Sequence, residues 1–232
     1  MNQYDYEYSS PAPLATTVNS TMKRVYLKMT LGLIVTAFTA LWAATSPAYI
    51  NFFVGHPWIM IALIVAELGF VIAISAGINK LSSGMATLLF YLFAIINGLM
   101  LFTVFIAYSP AVIIKTFFIT AGTFGAMTIY GYLTSNDLSK FGTYLIMALF
   151  GLIIASVVNI FMKSSSLDWI ISIVGVLIFI GLTAWDTQQI KTMAMTADGD
   201  AANKLATIGA LSLYLDFINL FLYLLRIFGR RD

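Results

Sequence analysis

The chain has 232 residues, of which 60% are hydrophobic and only 9% are charged, and its formal net charge is +2. Since a soluble domain carries roughly 25% charged residues, this composition indicates an integral membrane protein. The small net charge and the lack of a Lys/Arg run argue against nucleic-acid binding. The sequence has no cysteine, which excludes disulfides, thiolate catalysis and Cys-based metal sites.

Apolar segments long enough to cross a bilayer follow a polar beginning of the chain. Residues 1–20 are polar, rich in tyrosine and interrupted by prolines, which predicts a disordered cytoplasmic tail. With about 20 apolar residues per span, the candidate spans are 27–45, 57–78, 85–107, 111–133, 141–162, 169–190 and 208–228. The connections are short except between Thr192 and Thr207. Residues 21–232 are therefore predicted to form one all-α domain of seven transmembrane helices.

The basic residues that flank the spans predict the orientation. With the N-terminus inside, seven basic residues fall on the inner side and five on the outer side. Three of the outer five belong to the C-terminal end, and the earliest charges usually dominate. The inner residues are Lys23, Arg24, Lys28, Lys80, Lys140, Lys191 and Lys204. The sequence therefore predicts a cytoplasmic N-terminus and, after seven spans, an external C-terminus.

The last span carries a polar stripe on an otherwise apolar helix. At helical spacing its polar residues lie within a strip roughly 80° wide. They are Ser212, Asp216, Asn219, Tyr223 and Arg226. A membrane helix turns such a stripe toward other helices or toward a water-filled path. The helix is therefore predicted to lie inside the bundle, with Asn219, Ser212 and Arg226 along an ion path or latch.

A second acid, Asp186, lies near the end of the sixth span. Spans six and seven run antiparallel, and at about 1.5 Å per residue Asp186 lies roughly 6–9 Å and Asp216 roughly 12 Å from the same face. These depths permit a carboxyl pair across one helix interface. Two adjacent carboxylates cannot easily ionise together, so the pair is expected to share one proton and to act as a pH sensor or gate. The alternative is that each Asp merely packs, bonded to Asn219, Gln189 or backbone.

Two further charged residues belong to the second span. Glu67 lies near its middle with no basic residue within a turn, so it is either protonated or lines a polar path. Lys80 lies at the inner end, where snorkelling to the interface is favoured over pairing with an aspartate. Acidic oxygens suit a hard cation, so Asp186, Asp216 and Glu67 are candidates for transient contact with Ca²⁺ in transit. No resident cofactor is predicted.

Two segments resemble the transmembrane Bax-inhibitor-motif family. The run Ala210–Gly229, ALSLYLDFINLFLYLLRIFG, is similar to the C-terminal signature of the family, and Thr183–Lys191, TAWDTQQIK, is similar to its segment at the end of helix six. The likeness covers all seven spans. It implies a bacterial inner membrane protein whose last helix is surrounded by the other six. It also implies a pH-sensitive calcium leak in which Asp186 and Asp216 form the proton sensor, and Glu67 resembles an acidic position of helix two.

One departure from the family pattern concerns a latch. Some bacterial relatives have an arginine near the end of helix two that can bind the aspartate of helix six. The nearest match here is Lys80, two positions away in an ungapped comparison. Lysine lacks the bidentate fork of arginine, so this latch is not expected to be preserved.

Three functions are compatible with the sequence, and the leading one is a passive, proton-gated Ca²⁺ pathway. In a regulatory alternative, the protein has no transport activity and binds another membrane protein, such as a membrane-embedded protease, through its tail and the Thr192–Thr207 loop. An intramembrane aspartyl protease is disfavoured because the presenilin-type Gly-x-Gly-Asp motif is missing from every span. No enzymatic activity is therefore predicted.

Overall fold

The computed structural model describes residues 11–229, which form eight α-helices and no strand. Seven of these helices are long and apolar enough to cross a membrane, which confirms the predicted all-α fold with seven spans. The helices are α1 (Pro11–Thr45), α2 (Pro47–Gly55), α3 (Trp58–Gly77), α4 (Ser83–Ala107), α5 (Pro110–Leu133), α6 (Ser139–Met162), α7 (Ser165–Ala194) and α8 (Gly199–Phe228).

The first helix begins earlier than the sequence predicts. Residues 1–10 of the predicted disordered tail lie outside the described residues, but residues 11–20 belong to α1. The prediction of a tail over 1–20 is therefore wrong for its second half. The reason is burial, because Val18 and Met22 are 5% and 3% exposed within the main hydrophobic core.

The stretch from Thr192 to Thr207 is not the long loop that the sequence suggests. α7 continues to Ala194 and α8 begins at Gly199, which leaves four residues, 195–198, as the connection. Both helices extend because Ala194, Ala202 and Ala206 pack in the bundle. The regulatory alternative thus loses the loop that it assigned to partner binding.

A short helix that the sequence did not predict lies between the first two spans. Ser46 caps α2 by accepting the Tyr49 N–H, and Pro47 occupies the first turn, where its missing N–H costs nothing. With nine residues, α2 is too short to cross the bilayer. The Tyr49 hydroxyl donates to the Leu99 carbonyl at 2.9 Å, which ties α2 to α4.

The last helix is the most buried of the seven spans. It packs against α1, α4, α5 and α7 and touches α3 at its edge. α6 packs mainly on α7 and reaches α8 where Ser156 meets Tyr223. α8 thus packs on most of the other spans, whereas α6 lies mostly behind α7, so the helices are not arranged as the even ring of six that the family resemblance implies.

The antiparallel order of the spans defines two faces of the bundle. One face carries the start of α1, the α5–α6 connection and the α7–α8 turn, and we call it the basic face because Lys23, Lys140 and Lys191 lie near it. The opposite face carries α2 and the end of α8.

Helices α5 and α7 come unusually close at Gly131. A Cβ atom at this position would overlap the backbone carbonyl of Ala184, whereas a Cβ at Gly122 of the same helix would meet nothing within 4 Å. The backbone carbonyl cannot rotate away as a flexible side chain would. Gly131 therefore sets the distance between the two helices.

We expect Gly131→Ala to destabilise the protein by about 1–3 kcal/mol, because overpacking forces α5 away from α7. The matched substitution Gly122→Ala should be neutral or stabilising, since alanine is the better helix former by roughly 0.5–1 kcal/mol. Thermal unfolding of both variants in one detergent checks the difference. Equal changes in the unfolding midpoint would show that the helices do not approach as described.

Candidate functional site

The two acids of the last two helices lie in contact at the α7–α8 interface. The carboxyl groups of Asp186 and Asp216 lie close enough to share a hydrogen bond when one of them is protonated. The Ser212 hydroxyl, one turn before Asp216, donates to Asp186 Oδ2. From the sequence, the predicted depths permit the two acids to meet but do not require it. In the structure the two acids lie together.

The directions of the side chains explain why the acids meet. Ser212 lies opposite Asp186, and Asp216 lies one turn further from the basic face. In any α-helix the Cα–Cβ bonds tilt toward the N-terminus. Because α7 and α8 are antiparallel, Asp186 leans away from the basic face and Asp216 leans toward it. The two carboxyl groups therefore converge although their backbone positions are offset.

The pair occupies a largely apolar environment. Asp216 is 4% exposed, and Asp186 is partly buried. Oδ2 of Asp216 is buried and receives no hydrogen bond from an N–H or hydroxyl donor within residues 11–229. Two carboxylates in contact repel each other, whereas one shared proton converts the contact into a hydrogen bond. Gain or loss of that proton changes the charge of the bundle core by one unit.

Two glycines of neighbouring helices fix the rotation of α7 beside Asp186. Gly131 of α5 lies on the backbone of Ala184, and Gly142 of α6 lies on the ring of Trp185. A Cβ atom at either glycine would overlap these groups. The residues just before Asp186 are thus clamped from two sides, which determines the direction of its carboxyl group.

The predicted polar stripe of α8 divides into two parts. Ser212 and Asp216 belong to the carboxyl site, as described above. Asn219 bonds within its own helix, since its Nδ2 donates to the Leu215 carbonyl at 2.8 Å. Tyr223 stacks on Phe179 at a centroid distance of 5.8 Å. Within residues 11–229, the structure thus contains no aspartate–Asn219 bond of the kind that the packing alternative named.

Arg226, the last residue of the stripe, lies near the end of α8 and away from the carboxyl pair. Its Nη1 is 4.0 Å from Asp168 Oδ1, and its guanidinium lies over the Tyr223 ring. Its side chain is 46% exposed. These contacts assign Arg226 to the helix end and give it no latch on Asp186 or Asp216 in this conformation.

Glu67 belongs to a second polar centre on the other side of α8. Its Oε1 accepts from Asn97 Nδ2 at 2.9 Å, and Asn97 Oδ1 accepts from the Tyr214 hydroxyl at 3.1 Å. The Tyr214 hydroxyl also lies 2.6 Å from Thr36 Oγ1. The sequence predicts a polar role for Glu67, but it does not single out Tyr214 or Thr36.

The three acids considered for Ca²⁺ contact do not form one site. No group of three or more His, Asp or Glu side chains suited to a metal ion occurs within residues 11–229. Asp186 and Asp216 therefore form one acidic centre, and Glu67 belongs to another.

Lys80 lies in the turn after α3 and is exposed. It forms no ion pair with any acid of the described range. Snorkelling of its side chain to the membrane interface stays a prediction. The conformation described here thus contains no lysine equivalent of the arginine latch.

Two sets of side-chain hydrogen bonds join α1 to α8 near the basic face, and the sequence did not indicate them. Arg24 Nη1 donates to Asn203 Oδ1 at 2.6 Å. One turn further, Lys28 Nζ donates to Thr207 Oγ1 at 2.7 Å and to Thr87 Oγ1 of α4 at 2.8 Å. From the sequence alone, Arg24 and Lys28 indicate only the orientation of the chain in the membrane. Their partners on α8 lie 179 residues away and could not be recognised.

The fold and the site define a polytopic α-helical membrane protein with a carboxyl pair between its last two spans. A family model described as "Inhibitor of apoptosis-promoting Bax1" matches residues 18–232. The chain belongs to this Bax inhibitor family, which confirms the resemblance seen in the last two spans.

Similar proteins occur in several bacteria. The chain is 50% identical to the "Inner membrane protein YbhL" of Escherichia coli (strain K12) over 213 residues, which cover 90% of this chain and 91% of that protein. It is 45% identical to an uncharacterized protein of Borreliella burgdorferi, over 92% of this chain and 93% of the relative. It is 42% identical to an uncharacterized protein of Rickettsia prowazekii, over 90% and 89%. With its seven apolar helices, the chain is a multi-pass protein of the bacterial inner membrane type.

Proposed function

We propose that the protein is a passive Ca²⁺ pathway whose opening depends on the protonation of the Asp186–Asp216 pair. The observation that carries the proposal is the direct contact of two carboxyl groups in the core of a membrane bundle. A charge at this depth costs roughly 2.5–3.5 kcal/mol on insertion scales. Such a costly arrangement marks a functional site by default.

The chemistry of the pair suits a gate. With its shared proton the pair carries one negative charge, and without the proton it carries two that repel across the α7–α8 interface. Repulsion at this interface favours a different packing of α8, the helix that touches most of the bundle. Carboxylate and hydroxyl oxygens are also the ligands that Ca²⁺ prefers.

Orientation determines which compartment the pair senses. We propose that the basic face is cytoplasmic, with the C-terminal end of α8 outside, because the earliest basic residues precede the first span. Asp186 lies eight residues before the end of α7 at Ala194, about 12 Å from that end. The sensor would then respond mainly to cytoplasmic pH.

Reconstitution into liposomes that contain a Ca²⁺ dye tests the proposal. We expect Ca²⁺ uptake above that of protein-free liposomes, with a rate that changes between pH 6 and pH 8, since a one-proton equilibrium shifts about tenfold per pH unit. A rate that is the same at every pH would contradict the gate. Absence of any flux, together with a membrane protein recovered by crosslinking, would favour the regulatory alternative.

A further inference from the structure

Helices α1 and α5 leave a cleft between them at the basic face. α1 packs mainly on α4 and α8, and α5 packs mainly on α7 and α8. The space between the two helices is a cavity of about 440 Å³. We call it the α1–α5 cleft; its polar lining residues are Asn19, Lys23, Tyr26, Thr128 and Tyr132.

The cleft lies at the depth where lipid headgroups meet acyl chains. Its α5 wall runs from Thr128 to Leu133, the last residue of the helix, which is about 8 Å along the axis. The rest of the wall is apolar, and Ile129 and Leu133 are 60% and 72% exposed toward the surroundings of the bundle. In a membrane these surroundings are lipid, so the cleft opens sideways into one leaflet.

The mouth of the cleft is positively charged. Lys23 lines it, is exposed, and forms no ion pair with an acid of the described range. Lys191 Nζ lies nearby, where it donates to the Tyr132 carbonyl at 2.6 Å and sits 4.8 Å from the centre of the Tyr132 ring. No carboxylate of residues 11–229 lines the cleft. The two ammonium groups therefore favour an anionic occupant.

Two hydroxyl groups line the inner part of the cleft, those of Tyr26 and Thr128. The Tyr26 hydroxyl lies within hydrogen-bonding reach of the Thr128 and Thr187 side chains. Because a hydroxyl can donate to a carbonyl oxygen, hydroxyl groups at this depth match the ester carbonyls of a glycerophospholipid.

We infer that the α1–α5 cleft binds an anionic phospholipid of the leaflet at the basic face. The phosphate lies at Lys23, and the first part of one acyl chain lies along Met22, Ile129 and Leu133. A free anion in water would gain nothing from the apolar wall. A zwitterionic lipid would gain less from the uncompensated lysine, because its own cation opposes Lys23. The inference is independent of the proposed Ca²⁺ pathway.

The experiment uses the natural lack of cysteine, which allows one fluorescent label per variant. Ile129→Cys places the label on the cleft, and Tyr144→Cys places it on the lipid-facing side of α6 at a similar distance from the basic face. Phosphatidylglycerol with brominated chains, mixed into phosphatidylcholine vesicles, quenches a label that it contacts. We expect half-maximal quenching of the label at position 129 at about a fivefold lower mole fraction of brominated phosphatidylglycerol than at position 144. This factor is the increase in affinity that one lysine contributes near an anionic surface.

Substitution of Lys23 distinguishes specific binding of the anionic lipid from quenching by lipids that are randomly mixed around the protein. Lys23→Gln should remove this preference at position 129, whereas Lys140→Gln, an exposed lysine near the same face, should leave it unchanged. Thermal unfolding of each variant verifies that the protein remains folded. Equal quenching at 129 and 144, or an equal effect of brominated phosphatidylcholine, would overturn the inference. Displacement by inorganic phosphate alone would show that the cleft takes a free anion and not a lipid.

Discussion

Asp186→Asn and Asp216→Asn should each flatten the pH dependence of Ca²⁺ flux. Asparagine has nearly the shape of aspartate, and its amide can still donate a hydrogen bond to the remaining carboxylate, so the fold should be kept. The remaining acid no longer has a second carboxylate with which to share a proton. A rate that changes up to about tenfold per pH unit in the wild-type protein should become nearly constant over the same range. Dye-loaded liposomes at stepped pH measure the effect.

A suitable control removes an acid that cannot act as the sensor. Asp137 lies in the connection between α5 and α6, outside the spans. A hydrogen bond from the Ser139 side chain, aided by the Ser139 N–H, holds the pKa of the Asp137 carboxyl below its usual value. Asp137 is thus ionised throughout the range tested, and Asp137→Asn should leave the pH profile unchanged. If the two Asn variants keep the wild-type profile, the pair is not the sensor.

The carboxyl pair could be predicted because both aspartates stand out in apolar surroundings. An acid within a long apolar run is costly, and two such acids on consecutive antiparallel helices can meet only if their depths agree. The prediction used 208 as the start of α8, whereas the helix begins at Gly199. This error did not change the prediction that Asp186 and Asp216 can meet. Both depths are counted from the face at which the α7–α8 turn joins the two helices.

Other features could not be predicted because they depend on contacts distant in the chain. Lys28 donates to Thr87 and Thr207, which are 59 and 179 positions away. Hydrophobicity identifies spans but says little about which span is the neighbour of which, and so the position of α6 behind α7 was missed. Only α2 carried a local signal, Ser46 followed by Pro47, that a search for helix caps would have found.

Tyr214 is the residue through which α8 is fixed to α1 and α4. Its ring is fully buried and meets Phe90 and Phe93 edge to face at 5.7 and 5.6 Å. Its hydroxyl joins Thr36 of α1 to Asn97 of α4. Asp216 is two positions further, which is about 200° around the helix. The aromatic face therefore holds α8 in place while the acidic face meets α7.

We expect Tyr214→Ala to destabilise the protein by about 3–5 kcal/mol, because it leaves a cavity among Phe90 and Phe93. Tyr214→Phe keeps the ring and should cost only about 0.5–1.5 kcal/mol for the lost hydrogen bonds. Asn97 then still donates to Glu67, and Thr36 still donates to the Ala94 carbonyl at 2.8 Å. Thermal or denaturant unfolding in a fixed detergent gives the order of the two variants.

A comparison of Tyr214→Ala with the same substitution of an exposed aromatic residue distinguishes the loss of core packing from a general loss of apolar surface. Tyr144 of α6 is 68% exposed, so Tyr144→Ala should change stability by less than about 0.5 kcal/mol. A Tyr214→Ala variant no less stable than Tyr144→Ala would mean that α8 is not anchored by this ring. A large loss for Tyr214→Phe, close to that of Tyr214→Ala, would instead place the anchoring free energy in the Thr36–Tyr214–Asn97 hydrogen bonds. We expect Tyr214→Phe to be close to the wild-type protein in stability, and this result would assign the anchoring free energy to the ring.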